Sequence, residues 1–192
     1  VLGMGSRIPR FALPDGFVRR LGGSSSDFFY SGTFPAGGYR IGFIRIPSYA
    51  PPDQMTAIDL FRREMAYFEA STDGLVIDEM RNPGGYVGFM DALLQLVIPH
   101  RFRTMGFQIR ATSGWLSSIS SALESAKAQN APQWTIDLLG AIQEQIQSAN
   151  REFRGLTGPL PLAGVSLDID PAQDATGKTI AKVPISTKEE IH

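Results

Sequence analysis

The sequence has no cysteine and only two histidines, His100 and His192. Absence of cysteine excludes disulfides, a thiolate nucleophile and any zinc site built from cysteine. Two histidines are too few for a site with several histidine ligands. We therefore expect no metal ion in this protein.

Long apolar runs and an excess of positive charge are also missing. The formal net charge is −1 over 192 residues, which predicts no binding to nucleic acid. No apolar stretch is long enough to insert in a membrane. The first residues, VLGMGSRIPR, lack the apolar centre of a signal peptide, and Val1 is not an initiator. We expect this chain to be a piece of a longer or processed protein.

What is present predicts a folded α/β protein, since 43% of the residues are hydrophobic. Residues 1–37, rich in Gly, Ser, Pro and aromatics, predict a loop and edge-strand segment. Residues 38–111 alternate strand and helix patterns and form the expected α/β core. Residues 112–154 predict an inserted helical hairpin, in which Trp115 and Trp134 are interpreted as packing anchors. Residues 155–192 predict an extended or β tail.

Two strands and a helix dominate the expected core. The apolar residues of GYRIGFIRIP fall on both faces of a strand, which is typical of a strand covered on both sides. From Asp53, an expected N-cap, apolar residues recur at spacings of three and four and predict a helix. A second strand, LVIDEM, follows.

That second strand ends in RNPGG, and a helix is predicted from about Gly85 to Val97. Glycine lets another molecule approach the backbone closely, and the first turn of a helix has unpaired N–H groups. The N–H groups of Gly84 and Gly85 are therefore candidate donors to an anion or oxyanion. We expect Asp78 and Arg81 to form an ion pair that pins the turn.

Within the turn, Pro83 removes a donor and stiffens the backbone, and Asn82 has a structural role. A plain tight bend is the competing interpretation. The phosphate-loop and dinucleotide glycine patterns are both absent, and we expect no cofactor.

The motifs IGFIRIPSY and DGLVIDEMRNPGGYV, separated by an amphipathic helix, resemble the core of the S41 serine peptidases, the carboxyl-terminal processing or tail-specific proteases. The resemblance covers residues 38 to 100. It implies a crotonase-like (ClpP/crotonase) mixed sheet, an oxyanion hole that uses the Gly84–Gly85 turn, and a Ser-Lys dyad. It also implies a polypeptide substrate and an exported or periplasmic location, and it is compatible with a homo-oligomer.

The dyad itself is not found in this chain. Ser113, Ser117, Ser118, Ser120 and Ser121 lie at or in the expected hairpin. Lys127 is expected on a helix surface, and Lys178, Lys182 and Lys188 lie in the tail. His100 is expected at the end of a helix rather than in a triad.

We therefore expect a fragment that ends before the catalytic elements and is inactive alone. The alternative is a non-catalytic module that binds peptides or hydrophobic ligands on the same fold. An acyl-CoA enzyme ranks last, because no acid-base carboxylates or nucleotide pocket are visible.

Overall fold

The computed structural model describes residues 5–162 and 166–180. The chain forms two compact units. The first contains the chain up to Phe102 and resumes at Asp170, and the second runs from Arg103 to Ile169. The chain thus leaves the first unit and returns to it.

The first unit is built on a four-stranded mixed sheet of order β1-β2-β3-β4. Its strands and helices, in chain order, are β1 (Val18–Leu21), β2 (Tyr30–Ala36), β3 (Tyr39–Arg45), α1 (Gln54–Ser71), β4 (Gly74–Asp78) and α2 (Val87–Gln95). The first three strands are antiparallel, whereas β4 runs parallel to β3. A parallel neighbour needs a crossover, and α1 provides it.

Strand β3 is covered on both faces, as its apolar pattern predicts. Ile44 belongs to a buried cluster that also contains Phe61, Met65 and Phe68 of α1. On the opposite face, the Phe43 ring lies 5.9 Å from that of Phe11. The strand is therefore central to the first unit, with β2 on one side and β4 on the other.

Local signals explain α1. Asp53 caps the helix by accepting a hydrogen bond from the Thr56 N–H at 3.1 Å, as predicted. The helix approaches β3 closely at Gly42, where an added Cβ would lie 2.7 Å from Cδ1 of Phe68. Glycine is thus required at this position for packing rather than for backbone conformation.

Glu64 of α1 is buried, although its position in the sequence places it off the apolar stripe. Its carboxylate accepts a 2.7 Å hydrogen bond from Ser31 Oγ and a salt bridge from Arg20 at 3.0 Å. Arg20 also lies over the Tyr67 ring. A buried carboxylate requires such partners, and these join α1 to β1 and β2.

Two strand predictions need correction. Residues 1–37 supply more than an edge: β1 lies at the edge, but β2 lies inside the sheet. Residues 102–111 do not form a third core strand. They contain only β5 (Phe102–Arg103) and β6 (Gly106–Phe107), which pair outside the four-stranded sheet.

The second unit contains the predicted helical hairpin, α3 (Ser113–Ala128) and α4 (Gln133–Arg151). Two short strands follow, β7 (Leu160–Pro161) and β8 (Asp168–Ile169). β5 pairs with β8, and β6 pairs with β7. Ile109, Ile146 and Leu160 form the buried centre of the unit.

Trp115 and Trp134 are not the packing anchors that the sequence suggests. They are 50% and 58% exposed, respectively.

The expected tail contributes to both units. After β8, the Ala172 N–H donates to the Gln95 carbonyl at 2.9 Å, and Arg101 forms a salt bridge with Asp170 at 2.7 Å. The extended segment thus holds the end of α2 in the first unit. Residues 1–4, 163–165 and 181–192 of the expected segments lie outside the described residues.

Gly42→Ala should destabilise the first unit by about 1–3 kcal/mol, because the new methyl group overlaps the Phe68 ring. Gly74→Ala in β4 is the matched control, because its Cβ meets only the Ile41 side chain at an ordinary 3.7 Å. Denaturant unfolding of both variants measures the difference. Equal stability of the two variants would contradict this account of the helix–strand contact.

Candidate functional site

A buried ion pair fixes the end of β4. Arg45 and Asp78 are directly opposite in the parallel register, and Arg45 Nη1 lies 2.7 Å from Asp78 Oδ2. Their side chains are 0% and 6% exposed. The guanidinium also donates to the carbonyls of Ser6 and Met80, at 2.8 and 2.7 Å. These bonds compensate for removing both charges from water.

The pair corrects the expectation that Asp78 binds Arg81. Asp78 uses its second oxygen to accept the Met80 N–H at 2.8 Å, and both oxygens are thereby engaged. Arg81 instead occupies a left-handed conformation with φ 59°. Its carbonyl accepts the Gly5 N–H at 3.2 Å. The Arg81 backbone is thus part of the turn.

Asn82 holds the middle of the turn through both its backbone and its side chain. Its N–H donates to the Glu79 carbonyl at 2.9 Å, which closes a tight turn. Its side-chain Nδ2 donates to the Ile46 carbonyl at 3.3 Å, and its Oδ1 accepts the Gly84 N–H at 2.8 Å. Pro83, which follows, fixes its own φ and has no N–H to satisfy.

The two glycines differ in what their amides do. Because Asn82 accepts the Gly84 N–H, Gly84 is not a free donor, and the expectation of two glycine donors is corrected. Within residues 5–162 and 166–180, no partner accepts the Gly85 N–H, and Gly85 is exposed. One amide holds the bend, and the next is available to a ligand.

Only glycine fits at position 85. Its φ is 149°, and an added Cβ would lie 2.3 Å from the Tyr49 carbonyl carbon. Helix α2 starts two residues later, at Val87 rather than near Gly85, and has neither a side-chain cap nor an acidic residue in its first turn. The positive end of its backbone dipole is therefore not neutralised by its own side chains.

Tyr49 lies against this corner, with its ring packed on the buried cluster of the first unit. Its hydroxyl donates to the Glu79 carboxylate. Burial, together with that hydrogen bond, raises the pKa of the Tyr49 hydroxyl, because both disfavour a phenolate. Tyr49 is thus a stable hydrogen-bond donor.

A nucleophile with its base is not assembled in the described part of the chain. Ser113, Ser117, Ser118 and Ser121 are exposed, and Ser120 donates to the Leu116 carbonyl. No lysine amino group hydrogen-bonds to a serine in residues 5–162 and 166–180. His100 is exposed, and His192, Lys182 and Lys188 lie outside the described residues.

Sequence reasoning missed Arg45, Tyr49 and Glu79. Arg45 carries a usable signal: a charged residue inside the apolar strand IGFIRI is expected to have a buried partner. Tyr49 follows Pro47 in a segment without periodicity, and nothing local distinguishes it. Glu79 is exposed, and its role becomes visible only through the hydrogen bond that it accepts from the Tyr49 hydroxyl.

No family model matches the chain. A Chlamydia trachomatis serovar D protein is 27% identical over 66% of this chain and 25% of its own length. A Chlamydia pneumoniae protein is 33% identical over 42% of this chain and 14% of its own length. The chain spans a quarter or less of these relatives.

Solved structures that share the fold belong to a chlamydial serine protease. That protease is CPAF, the Chlamydia protease-like activity factor. Its complex with lactacystin matches with a TM-score of 0.60 and 19% identity, over 89% of this chain and 38% of that chain. A serine-to-alanine mutant matches with a TM-score of 0.61 and 20% identity, over 94% and 38%. At these identities the likeness establishes the fold.

These findings overturn two expectations. The resemblance to S41 peptidases is wrong: the structural neighbours are a distinct chlamydial serine protease. The crotonase-like assignment is also wrong, because the fold that matches is that of CPAF. Both expectations rested on two strand motifs, IGFIRIPSY and DGLVIDEMRNPGGYV, separated by a helix. The Pro-Gly-Gly corner in the second motif is common wherever a strand turns tightly into a helix.

Two features of the described residues concern membranes and metal ions. In residues 5–162 and 166–180, no helix has both the length and the apolar character required to cross a bilayer. Over the same ranges, no three acidic or histidine side chains converge as metal ligands would.

Asp78→Asn should lower the free energy of unfolding by about 3–5 kcal/mol, because it leaves the buried Arg45 charge uncompensated. Urea unfolding measures this loss. Asp59→Asn, which breaks the exposed pair with Arg62, is the control and should cost about 0.5 kcal/mol or less. A similar loss in both variants would contradict the assigned role of the buried pair.

Tyr49 should give the protein an alkaline dependence of stability. Because its pKa is raised in the folded state, its contribution is complete below the unfolded value of about 10 and declines as pH rises beyond it. The stability advantage of the wild type over Tyr49→Phe should therefore shrink above about pH 10. Urea unfolding across this range tests it, with Tyr39→Phe, at an exposed position, as the matched control. A constant advantage at every pH would refute the assignment.

Proposed function

We propose that this chain is part of a serine endopeptidase and supplies one donor of its oxyanion hole, the Gly85 N–H. The observation that carries the proposal is the exposed Gly85 N–H, which has no acceptor among residues 5–162 and 166–180. At the same corner, the Gly84 N–H and carbonyl and the Tyr86 N–H are all hydrogen-bonded. The shared fold with a chlamydial serine protease supports the same reaction class. The substrate is a polypeptide.

The chemistry assigned to Gly85 is electrostatic. A serine oxygen attacks the scissile carbonyl carbon, a base takes the serine proton, and the carbonyl electron pair moves onto oxygen. The Gly85 N–H donates a hydrogen bond to that oxygen as its negative charge develops. Such a donor accelerates the reaction because it is already oriented and binds the transition state more strongly than the substrate.

The serine and its base come from the full-length protein, outside the residues described here. This assignment rests on two observations: no lysine amino group hydrogen-bonds to a serine in residues 5–162 and 166–180, and the chain covers 38% of CPAF. The 192-residue chain alone is inactive on peptides under this proposal. The donor and the nucleophile are thus contributed by different parts of one polypeptide.

A serine-reactive phosphonate probe provides the first test. The full-length protein should be labelled and should cleave peptides, whereas the 192-residue chain should do neither. Binding of hydrophobic peptides by an unlabelled full-length protein would instead favour a non-catalytic binding module and overturn the peptidase proposal.

Gly85→Ala in the full-length protein should reduce kcat by about 10²–10³-fold. The new methyl group would overlap the Tyr49 carbonyl and so move the N–H donor of residue 85 out of position. Peptide cleavage measures kcat, and thermal unfolding monitors folding. Gly74→Ala, at the other end of β4, is the control and should retain activity. A folded Gly85→Ala variant with unchanged kcat would exclude Gly85 from the oxyanion hole.

A further inference from the structure

Tyr49 contacts the turn before and after the glycines. Its N–H donates to the Gly84 carbonyl at 2.9 Å, and its carbonyl accepts the Tyr86 N–H at 2.9 Å. Its hydroxyl donates to Glu79, at the other end of the turn. One residue therefore holds the segment from Glu79 to Tyr86 at both ends.

The backbone contact fixes the direction of the free amide. The Gly84 carbonyl and the Gly85 N–H belong to the same planar trans peptide and point in opposite directions. Because the Gly84 carbonyl faces the Tyr49 N–H, the Gly85 N–H faces away from Tyr49. It is thereby directed to the exposed side of the turn, where a ligand can reach it.

The side chain determines where the Tyr49 backbone lies. Tyr49 belongs to no strand and meets Gly85 only through an isolated bridge. Its ring packs on the buried cluster, and its hydroxyl is anchored on a carboxylate. A hydrogen bond to a charged group is stronger than a neutral one, which makes this contact suited to hold an irregular segment.

We propose that Tyr49 is a positioning residue: through its hydroxyl bond to Glu79 it holds the Gly85 N–H in the orientation that receives the oxyanion. The proposal rests on the function proposed above for Gly85. It assigns to Tyr49 no contact with substrate. Its effect is exerted on the geometry of the donor, and hence on kcat more than on KM.

The geometric part is tested in the 192-residue chain by amide hydrogen exchange. In Tyr49→Phe, the amides of Tyr49 and Tyr86 should exchange about tenfold faster, as expected for loss of one hydrogen bond to a charged group. Tyr39→Phe, which removes an exposed hydroxyl, should leave both rates unchanged. Unchanged protection in Tyr49→Phe would overturn the positioning role.

The catalytic part is tested in the full-length protein. Tyr49→Phe should lower kcat about tenfold with KM within about twofold, a smaller loss than removal of an oxyanion donor. Glu79→Ala should reproduce that loss, and Glu79→Gln, which retains an acceptor oxygen, should recover most of it. The double variant Tyr49→Phe with Glu79→Ala should be no worse than either single change, because both remove one bond.

Failures of the two proposals are distinguishable. An active full-length protein whose kcat is insensitive to Tyr49→Phe would overturn the positioning role and leave the peptidase proposal intact. A full-length protein that is neither labelled nor active would overturn the peptidase proposal, and with it any catalytic role for Tyr49. Losses from Tyr49→Phe and Glu79→Ala that simply add would also contradict the inference, since they would not share one bond.

Discussion

The buried pair of Arg45 and Asp78 is the constraint on which the site depends. Two charges withdrawn from water at the ends of adjacent parallel strands must satisfy each other and every remaining donor and acceptor. The fold meets this demand with the carbonyls of Ser6 and Met80 and the Met80 N–H. The end of the sheet, the first residues of the turn and the amino-terminal segment are therefore held as one piece.

Within this rigid region, the amide groups of the turn have different roles. Asn82 uses its backbone N–H to close the bend and its side chain to occupy Gly84. The bend does not need the Gly85 N–H, because the Gly84 N–H, the Gly84 carbonyl and the Tyr86 N–H already have partners within the described part of the chain. A rigid corner with an open, already oriented donor is the arrangement that preorganised catalysis requires.

The sequence predicted the helices better than the site. Asp53 and the apolar stripe of α1 are local signals, read within one or two turns of chain. The partner of Asp78 could not be read in this way: Arg81 is three residues away along the chain, whereas Arg45 is 33 away and directly opposite in the sheet. Burial of Glu64 likewise depends on Ser31, 33 residues distant. Local patterns predict elements, but strand pairing and the packing of the helix on the sheet determine which charges meet.

The tie between Ser6 and Arg45 also sets a limit on how far the amino terminus can be trimmed. The Gly5 N–H donates to the Arg81 carbonyl, and the Ser6 carbonyl accepts a hydrogen bond from the Arg45 guanidinium. These two residues therefore bind both the turn and the buried ion pair. A shortened version that starts after Ser6 would leave a guanidinium N–H without its acceptor in the protein interior. For recombinant expression of this region, the amino-terminal boundary belongs before Gly5, even though these residues lie in no helix or strand.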